Sequence, residues 1–282
     1  MGAVARLAVT LALVAALGLP RAARAQESPS HLADRGPGIP MSIFGTYVRP
    51  GELVVYPFVE WYVDSNFEYK PSEIGFGLDL DYRGKYRASE QLLYLAYGVS
   101  DRLAVEMEGA IIQAHLDKSP IDPTAMPARF EESGVGDVEG QIRWRWMEEA
   151  ARRPEGFAYF ETVFPLQKNR HLIGTQDWEF ALGAGLVRGH RWGTVTVRAA
   201  VEYVREEGKL DVGEYAVEYL KRLSPKWRVV GIVEGSQLDE VELITEGQWH
   251  FGQRAWLKLN TSFGLTENAT GFAPEVGVMF SF

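Results

Sequence analysis

Apolar and polar residues alternate along almost the whole chain from residue 51 onward. The pattern is clearest in the last segment, where one face would carry Phe272, Pro274, Val276, Val278, Phe280 and Phe282, and the other Ala273, Glu275, Gly277, Met279 and Ser281. Successive side chains of a β-strand point to opposite faces, so a period of two indicates strands with one apolar and one polar face. The pattern predicts an all-β protein.

Twelve segments show this period, which favours twelve antiparallel strands, with ten or fourteen as alternatives. The predicted spans are 52–65, 86–99, 103–115, 137–147, 156–166, 177–188, 194–206, 210–222, 226–237, 241–251, 254–264 and 271–282. Short connections alternate with longer ones, and the longest, 66–85 and 116–136, fall on the side opposite the short turns. Outer-membrane barrels have even strand numbers, short periplasmic turns and longer external loops. We therefore expect one transmembrane antiparallel β-barrel over residues 51–282.

The N-terminal 25 residues have the layout of a cleavable signal peptide. Arg6 precedes an apolar run from Leu7 to Leu19, and small residues lie before Gln26. The run is shorter than the roughly 20 residues that a spanning helix needs. Residues 26–50 are rich in Pro, Gly and Ser, which predicts a periplasmic lead-in without regular structure. These features favour export to the cell outer membrane.

Composition narrows the possible partners. The chain has 29 basic and 38 acidic residues, a net charge of −9, and cleavage after residue 25 would make it more acidic. Because phosphate binding needs basic surface, a nucleic-acid partner is disfavoured. Cysteine is absent, which excludes disulfides and a lipid-modified N-terminal cysteine. A lipid environment admits only helices and closed barrels, and the mature chain has no apolar stretch long enough for a helix. Outer-membrane lipids are the expected surroundings.

The polar faces would form the lumen, and glutamates dominate them. They are Glu60, Glu106, Glu108, Glu139, Glu161, Glu179, Glu202, Glu214, Glu218, Glu234, Glu242, Glu246 and Glu275, against Arg143, Arg145, Arg198, Arg228 and Lys258. Two interpretations stay open. The charges could form ion pairs that fill a narrow barrel, or they could line a passage whose acidic excess disfavours anions.

A lateral charge ladder is predicted within this set. Arg143 and Arg145 would project inward from one strand, with Glu106 and Glu108 on the strand before it and Glu161 on the strand after it. Opposite charges on neighbouring strands of one face attract by about 0.2–1 kcal/mol per pair. The lumen residues expected to govern passage are therefore Glu106, Glu108, Arg143, Arg145, Glu161, Arg198, Glu202, Arg228, Glu234 and Lys258.

Two stretches resemble known sequence signatures. Val276, Val278, Phe280 and the terminal Phe282 resemble the assembly signal read by the outer-membrane insertion machinery, which implies that machinery as a partner. The stretch 134–145, with its Gly134-Val135-Gly136-Asp137 start, resembles the signature of the phenol-degradation (meta-pathway) transporter barrels. There the glycines would form a tight entry to a strand, with Asp137 bonded to the turn backbone. The resemblance implies a transporter-like barrel and does not identify its solute.

Other functions have less support. The sequence contains no Gly-x-Ser-x-Gly elbow and no His-Glu-x-x-His motif, and its five histidines are scattered, so neither catalysis nor a metal or cofactor is expected. Six tryptophans are expected to face outward in the membrane interface: Trp61, Trp144, Trp146, Trp178, Trp227 and Trp249. We expect passive passage or uptake of small molecules. The alternatives are a non-transporting surface or structural barrel and a lipid-modifying enzyme.

Overall fold

A computed structural model of the protein describes residues 30–282 except 176, 206–207 and 237–239. The predicted signal peptide therefore lies outside the described residues. In the described part, no helix is long and apolar enough to cross a membrane. The only helical element there is one 3₁₀ turn, Ser30–Leu32.

Twelve antiparallel strands close into a barrel. After two short strands, β1 (Ile39–Pro40) and β2 (Tyr47–Val48), the barrel strands are β3 (Leu53–Tyr69), β4 (Tyr82–Gly98), β5 (Leu103–Asp117), β6 (Arg129–Met147), β7 (Glu155–Phe164), β8 (Glu179–His190), β9 (Gly193–Val204), β10 (Lys209–Arg222), β11 (Trp227–Ser236), β12 (Glu240–His250), β13 (Ala255–Gly264) and β14 (Phe272–Ser281). Each pairs with its neighbours in the chain, and β14 pairs with β3. The predicted all-β fold and strand number are confirmed.

The outer surface of the barrel is an apolar belt. Its most exposed side chains include Leu182 at 60%, Ile142 at 52% and Val217 at 52%. Five of the six tryptophans predicted to face outward are well exposed, and the sixth, Trp178, stacks on Phe180 with ring centroids 6.0 Å apart. Exposed apolar surface of this extent fits lipid, because in water it would have to be buried.

Strands β3 to β6 are longer than the sequence predicted. They have 15 to 19 residues, whereas the other barrel strands have 10 to 14. The predicted loops 66–85 and 116–136 therefore shrink to 70–81 and 118–128. In the added parts several outward positions are polar, as in the cross-strand pair Lys85 and Asp117, whereas inward residues such as Leu116 and Phe130 are apolar and pack together. The apolar side of these strands therefore changes from outward to inward while the backbone pairing continues.

The segment 26–50 differs from its prediction. Its described part does not lead up to the barrel but lies within it, and β1 and β2 form a small antiparallel hairpin. We call residues 30–48 the N-terminal plug. Its hairpin residues Ile39 and Val48 are fully buried. The plug contacts inward side chains of β5, β6, β9, β12 and β13, which surround it on all sides.

The plug fills the half of the lumen near the short turns, which is the periplasmic half by the usual orientation of such barrels. Ile39, Met41 and Val48 pack with Tyr56 and Met279 in one buried cluster. On the opposite wall, Phe44 and Tyr47 pack against a second cluster, made of Ala216, Leu220, Val230 and Ile232. This half of the lumen is thus packed like the core of a soluble protein.

Candidate functional site

The plug backbone is held by a row of luminal cations. Every second carbonyl from Gly38 to Phe44, along β1 and the turn that follows it, accepts a hydrogen bond from a different side chain. The four bonds are Arg145 to Gly38 O (3.3 Å), Arg143 to Pro40 O (3.1 Å), Arg198 to Ser42 O (3.0 Å) and Lys258 to Phe44 O (3.0 Å). The plug is thus bound by cations from β6, β9 and β13, which lie on different parts of the barrel wall.

Each of these cations also has a carboxylate partner. Arg143 Nε lies 2.6 Å from Glu106, and Lys258 Nζ lies 3.0 Å from Glu246. Arg198 binds Glu214 and lies 3.3 Å from Glu234, and Arg145 lies 3.5 Å from Glu155. Buried charges need such pairing, since an unpaired one costs several kcal/mol. The interpretation of the lumen charges as space-filling ion pairs holds in this half.

The predicted charge ladder is present only in part. Arg143 does pair with Glu106, as expected. Arg145 turns instead to the periplasmic rim, where its Nε donates to Asp101 O at 2.8 Å, and Glu161 accepts from Gln141. The plug is the physical reason, since its carbonyls and the rim compete with the glutamates for the arginine donors. The alternation in the sequence correctly placed these side chains on one face. It could not show that backbone carbonyls of the plug also bind the two arginines.

The tip of the plug fits the wall closely at Gly45. Its φ is +65°, a conformation that favours glycine, and a Cβ there would lie 2.5 Å from Gln248 Nε2 and 2.9 Å from Val230 Cγ2. Gln248 also donates to the carbonyl of Gly45 at 3.4 Å. Any side chain at position 45 would therefore disturb the seating of the plug.

Above the plug, the middle of the lumen holds carboxylates without cations. Glu60 lies directly opposite Glu90 on β4 and Glu275 on β14, and Glu108 lies opposite Glu139 on β6. Within the described residues, no lysine or arginine nitrogen comes within 4.0 Å of any of these five carboxylates. We call them the acidic chamber. Like charges placed opposite one another destabilise a sheet, so their arrangement opposes folding.

Hydroxyl groups orient part of the chamber. Tyr62 donates to Glu60 at 2.9 Å, and Tyr56 donates to Glu275. A cavity of about 40 Å³ between Glu108, Glu139 and Glu161 reaches down to Ser42 of the plug. The chamber thus opens directly onto the plug. Glu90 belongs to it but was missed by the sequence analysis, since its strand was predicted without a polar inward position.

The remaining predicted lumen residues lie outside the chamber. Glu202 is on β9 opposite Asp211, and Arg228 lies at the periplasmic end of β11 opposite Gln248. Glu234 is engaged by Arg198. Their influence on passage stays a prediction.

The loop between β7 and β8, of which residues 165–175 and 177–178 are described, folds over the other end of the lumen. The carboxylate of Glu132 accepts hydrogen bonds from the amides of His171 and Leu172, both at 2.8 Å. Ile173 is 3% exposed and packs against Ala88 and Ala114 of the wall. The loop narrows the extracellular mouth.

Asp137 is the second anchor of this loop. It accepts from the amides of Leu166 at 2.6 Å and Thr175 at 2.6 Å. The sequence analysis placed Gly134 to Asp137 in a turn entering a strand, but these residues lie inside β6 beside a register shift. Gly136 passes closely by β5, since a Cβ there would lie 2.8 Å from Ile112 Cδ1. The carboxylate of Asp137 therefore accepts hydrogen bonds from the distant β7–β8 loop and not from the backbone of a turn at residues 134–137.

The C-terminal strand closes the barrel. Phe282 N donates to Leu53 O at 2.9 Å, and the rings of Phe280 and Phe282 stack with centroids 6.4 Å apart. Met279 is fully buried, so the alternate residues Val276, Val278 and Phe280 lie on the outward face of β14. Their role as an assembly signal stays a prediction.

A hydrolase would need a nucleophile next to a base. On the outer face, His115 lies near Ser89 and Ser133 on the flanking strands, but its imidazole hydrogen-bonds neither serine. The described residues also include no group of three or more His, Cys, Asp or Glu placed to hold a metal ion.

Comparison with known proteins supports the fold. No protein-family model matches the chain, and no curated protein matches it. Among solved structures, it is similar to an outer membrane channel from Pseudomonas putida F1, with a TM-score of 0.60 and 15% identity over 83% of this chain and 97% of that chain. It is also similar to the translocator domain of the autotransporter NalP from Neisseria meningitidis, with a TM-score of 0.52 and 13% identity over 82% of this chain and 88% of that one. The chain has the fold of an outer-membrane β-barrel.

These identities are low, so the similarity concerns architecture. One of the two neighbours is an outer membrane channel, and the other is the translocator domain of an autotransporter. With no family model matching, the relation of residues 134–145 to the phenol-degradation transporters remains a resemblance.

Proposed function

We propose that the protein is a passive channel of the outer membrane for small solutes and that it prefers cations. The acidic chamber is the observation that carries the proposal. Five carboxylates on five adjacent strands face one another without a cation, which is unfavourable for the fold. A mobile cation passing through would relieve the repulsion. Rings of acidic side chains select cations in pores for the same reason.

The plug makes this a closed state of the channel. Its clusters of buried apolar side chains leave no open path through the periplasmic half, so solute passage requires the plug to shift. The same packing favours the second candidate, a non-transporting barrel in which the plug is a permanent core. The two candidates differ in one measurable property, the ability to conduct ions.

Planar-bilayer recording tests the channel. With the purified protein, we expect single-channel current steps. In a tenfold KCl gradient, the sign of the reversal potential should show that K⁺ permeates more readily than Cl⁻. Replacing Glu108 and Glu139 together with glutamine should move the reversal potential towards zero, because both facing charges are removed. The control is Glu267→Gln, an exposed glutamate of the β13–β14 loop.

The outcomes separate the candidates. A protein that stays silent, and is also silent without its plug, is a non-transporting barrel. A conducting protein whose selectivity is unchanged in the double variant would contradict the role of the chamber.

A further inference from the structure

A polar groove lies on the outer face of the long strands, above the apolar belt. Arg87, His115 and Glu131 are cross-strand neighbours on β4, β5 and β6, and Ser89 and Ser133 occupy the next outward row. The groove has a volume of about 610 Å³ and is also lined by Arg170 of the β7–β8 loop. It is outside the lumen and plays no part in the proposed passage.

The height of the groove determines what it meets. The last apolar outward residues below it are Leu93, at 47% exposure, and Val135, at 50%. Two to six residues further along each strand lie the groove residues, which is about 7–20 Å along the strand and less along the membrane normal because barrel strands are tilted. The groove therefore faces the headgroup layer of the outer leaflet.

The groove contains two arginines and one exposed carboxylate. Glu131 lies 4.0 Å from Arg129, which is itself bound to Asp117 at 2.7 Å. Glu132, whose backbone lies beneath the groove, is bonded by the amides of His171 and Leu172. Neither Arg87 nor Arg170 has a carboxylate oxygen within 4.0 Å in the described part of the chain. The bonds of Glu132 to the two residues after Arg170 also fix the position of that arginine. Two unpaired guanidinium groups beside hydroxyls form a typical setting for a phosphate.

We propose that this groove binds the phosphorylated sugar headgroup of the glycolipid in the outer leaflet, lipopolysaccharide. The two arginines bind the phosphate, and Ser89, Ser133 and His115 offer hydrogen bonds to sugar hydroxyls. The acyl chains then lie on the apolar belt below. A free phosphate ion could bind the same arginines, but it has no acyl chains to contact the apolar belt.

Native mass spectrometry of the purified barrel in detergent tests the proposal, with bisphosphorylated lipid A and dephosphorylated lipid A as probes. The wild-type protein should bind the phosphorylated lipid on the order of tenfold more tightly. Arg87→Gln with Arg170→Gln should abolish that difference, and the double lysine variant should keep part of it. The control is Arg152→Gln, an exposed arginine in the turn between β6 and β7. Heat-modifiability on gels verifies that each variant is folded.

Two results would overturn the assignment. Equal binding of both lipids by the wild-type protein removes the role of the phosphate. Displacement of the phosphorylated lipid by about 10 mM inorganic phosphate would identify the groove as a site for free anions. Retention of the lipid under that phosphate, with loss in the double glutamine variant, supports the glycolipid.

Discussion

The periplasmic half of the lumen and the acidic chamber place charge in opposite environments. Below, each cation that binds the plug also has a carboxylate, so attraction and backbone hydrogen bonds hold a packed core together. Above, glutamates lie opposite glutamates. Removing a charge should therefore have opposite effects on stability in the two regions. The comparison shows that one lumen can contain both charges that are paired with a counter-ion and charges that have none among the described residues.

Removing the plug should have the largest effect. Deleting residues 30–48 takes away the packing that closes the periplasmic half, so single-channel conductance should rise on the order of tenfold. Planar-bilayer recording measures it. Gly45→Ala offers a milder test, because its Cβ would collide with Gln248 and Val230 and loosen the seated plug.

The control is Met41→Leu, which conserves side-chain volume in the buried cluster that Met41 forms with Ile39 and Val48. It should leave conductance unchanged. If both the deletion and Gly45→Ala conduct like the wild-type protein, the plug is not the barrier.

Arg143→Gln should reduce stability most among single charge changes. It leaves Glu106 buried without its cation, and breaking a buried pair costs about 3–5 kcal/mol. Urea unfolding in detergent micelles gives the change in the free energy of unfolding. The matched surface variant Arg152→Gln should stay within about 0.5 kcal/mol of the wild-type protein. An Arg143→Gln barrel as stable as that control would show that the plugged half is not held by its ion pairs.

Glu108→Gln should change stability in the other direction. It removes one of two facing carboxylates, so the free energy of unfolding should rise by about 0.2–1 kcal/mol. The same urea titration measures it at neutral pH. A clear loss of stability would mean that the chamber carboxylates are structurally required, and the contrast between the two regions would fail.

Glu52, just before β3, gives the smallest effect. Burial alone would raise the pKa of Glu52, but hydrogen bonds from Arg49 and Ser281 outweigh it and hold the pKa below the ordinary value of 4.5. Its contribution to stability is therefore fully present above pH 4.5 and is lost as the pH falls through the lowered pKa. Unfolding measured at pH 7 and below pH 4 should show a smaller pH dependence in Glu52→Gln. Equal dependence in both proteins would contradict the contribution.

Periodicity predicted the barrel well because lipid and lumen impose different chemistry on alternate residues. It gave twelve strands and the inward faces of Arg143, Glu106 and Glu108. The extensions of β3 to β6 were missed because the outward face becomes polar above the membrane, while apolar residues such as Leu116 and Phe130 lie on the inward face.

The sequence of the plug has no alternation of apolar and polar residues that would predict its structure. It is rich in Gly and Pro, and its main contacts are made by backbone carbonyls, whose positions no side-chain pattern reports. The bonds of Asp137 and Glu132 to the β7–β8 loop join residues about 30 to 40 positions apart, which local spacing cannot predict.

The pairing of Leu53 with Phe282 favours one order of events during assembly. Leu53 follows the plug after only four residues, and the last residue of the chain bonds to it. The final strand therefore completes the wall at the point where the plug enters the lumen. A wall completed first would enclose Arg143, Arg198 and Lys258 without the carbonyls they bind, and the plug would then have to enter through the periplasmic opening. Folding in which the first segment is in place before the last strand arrives avoids that barrier.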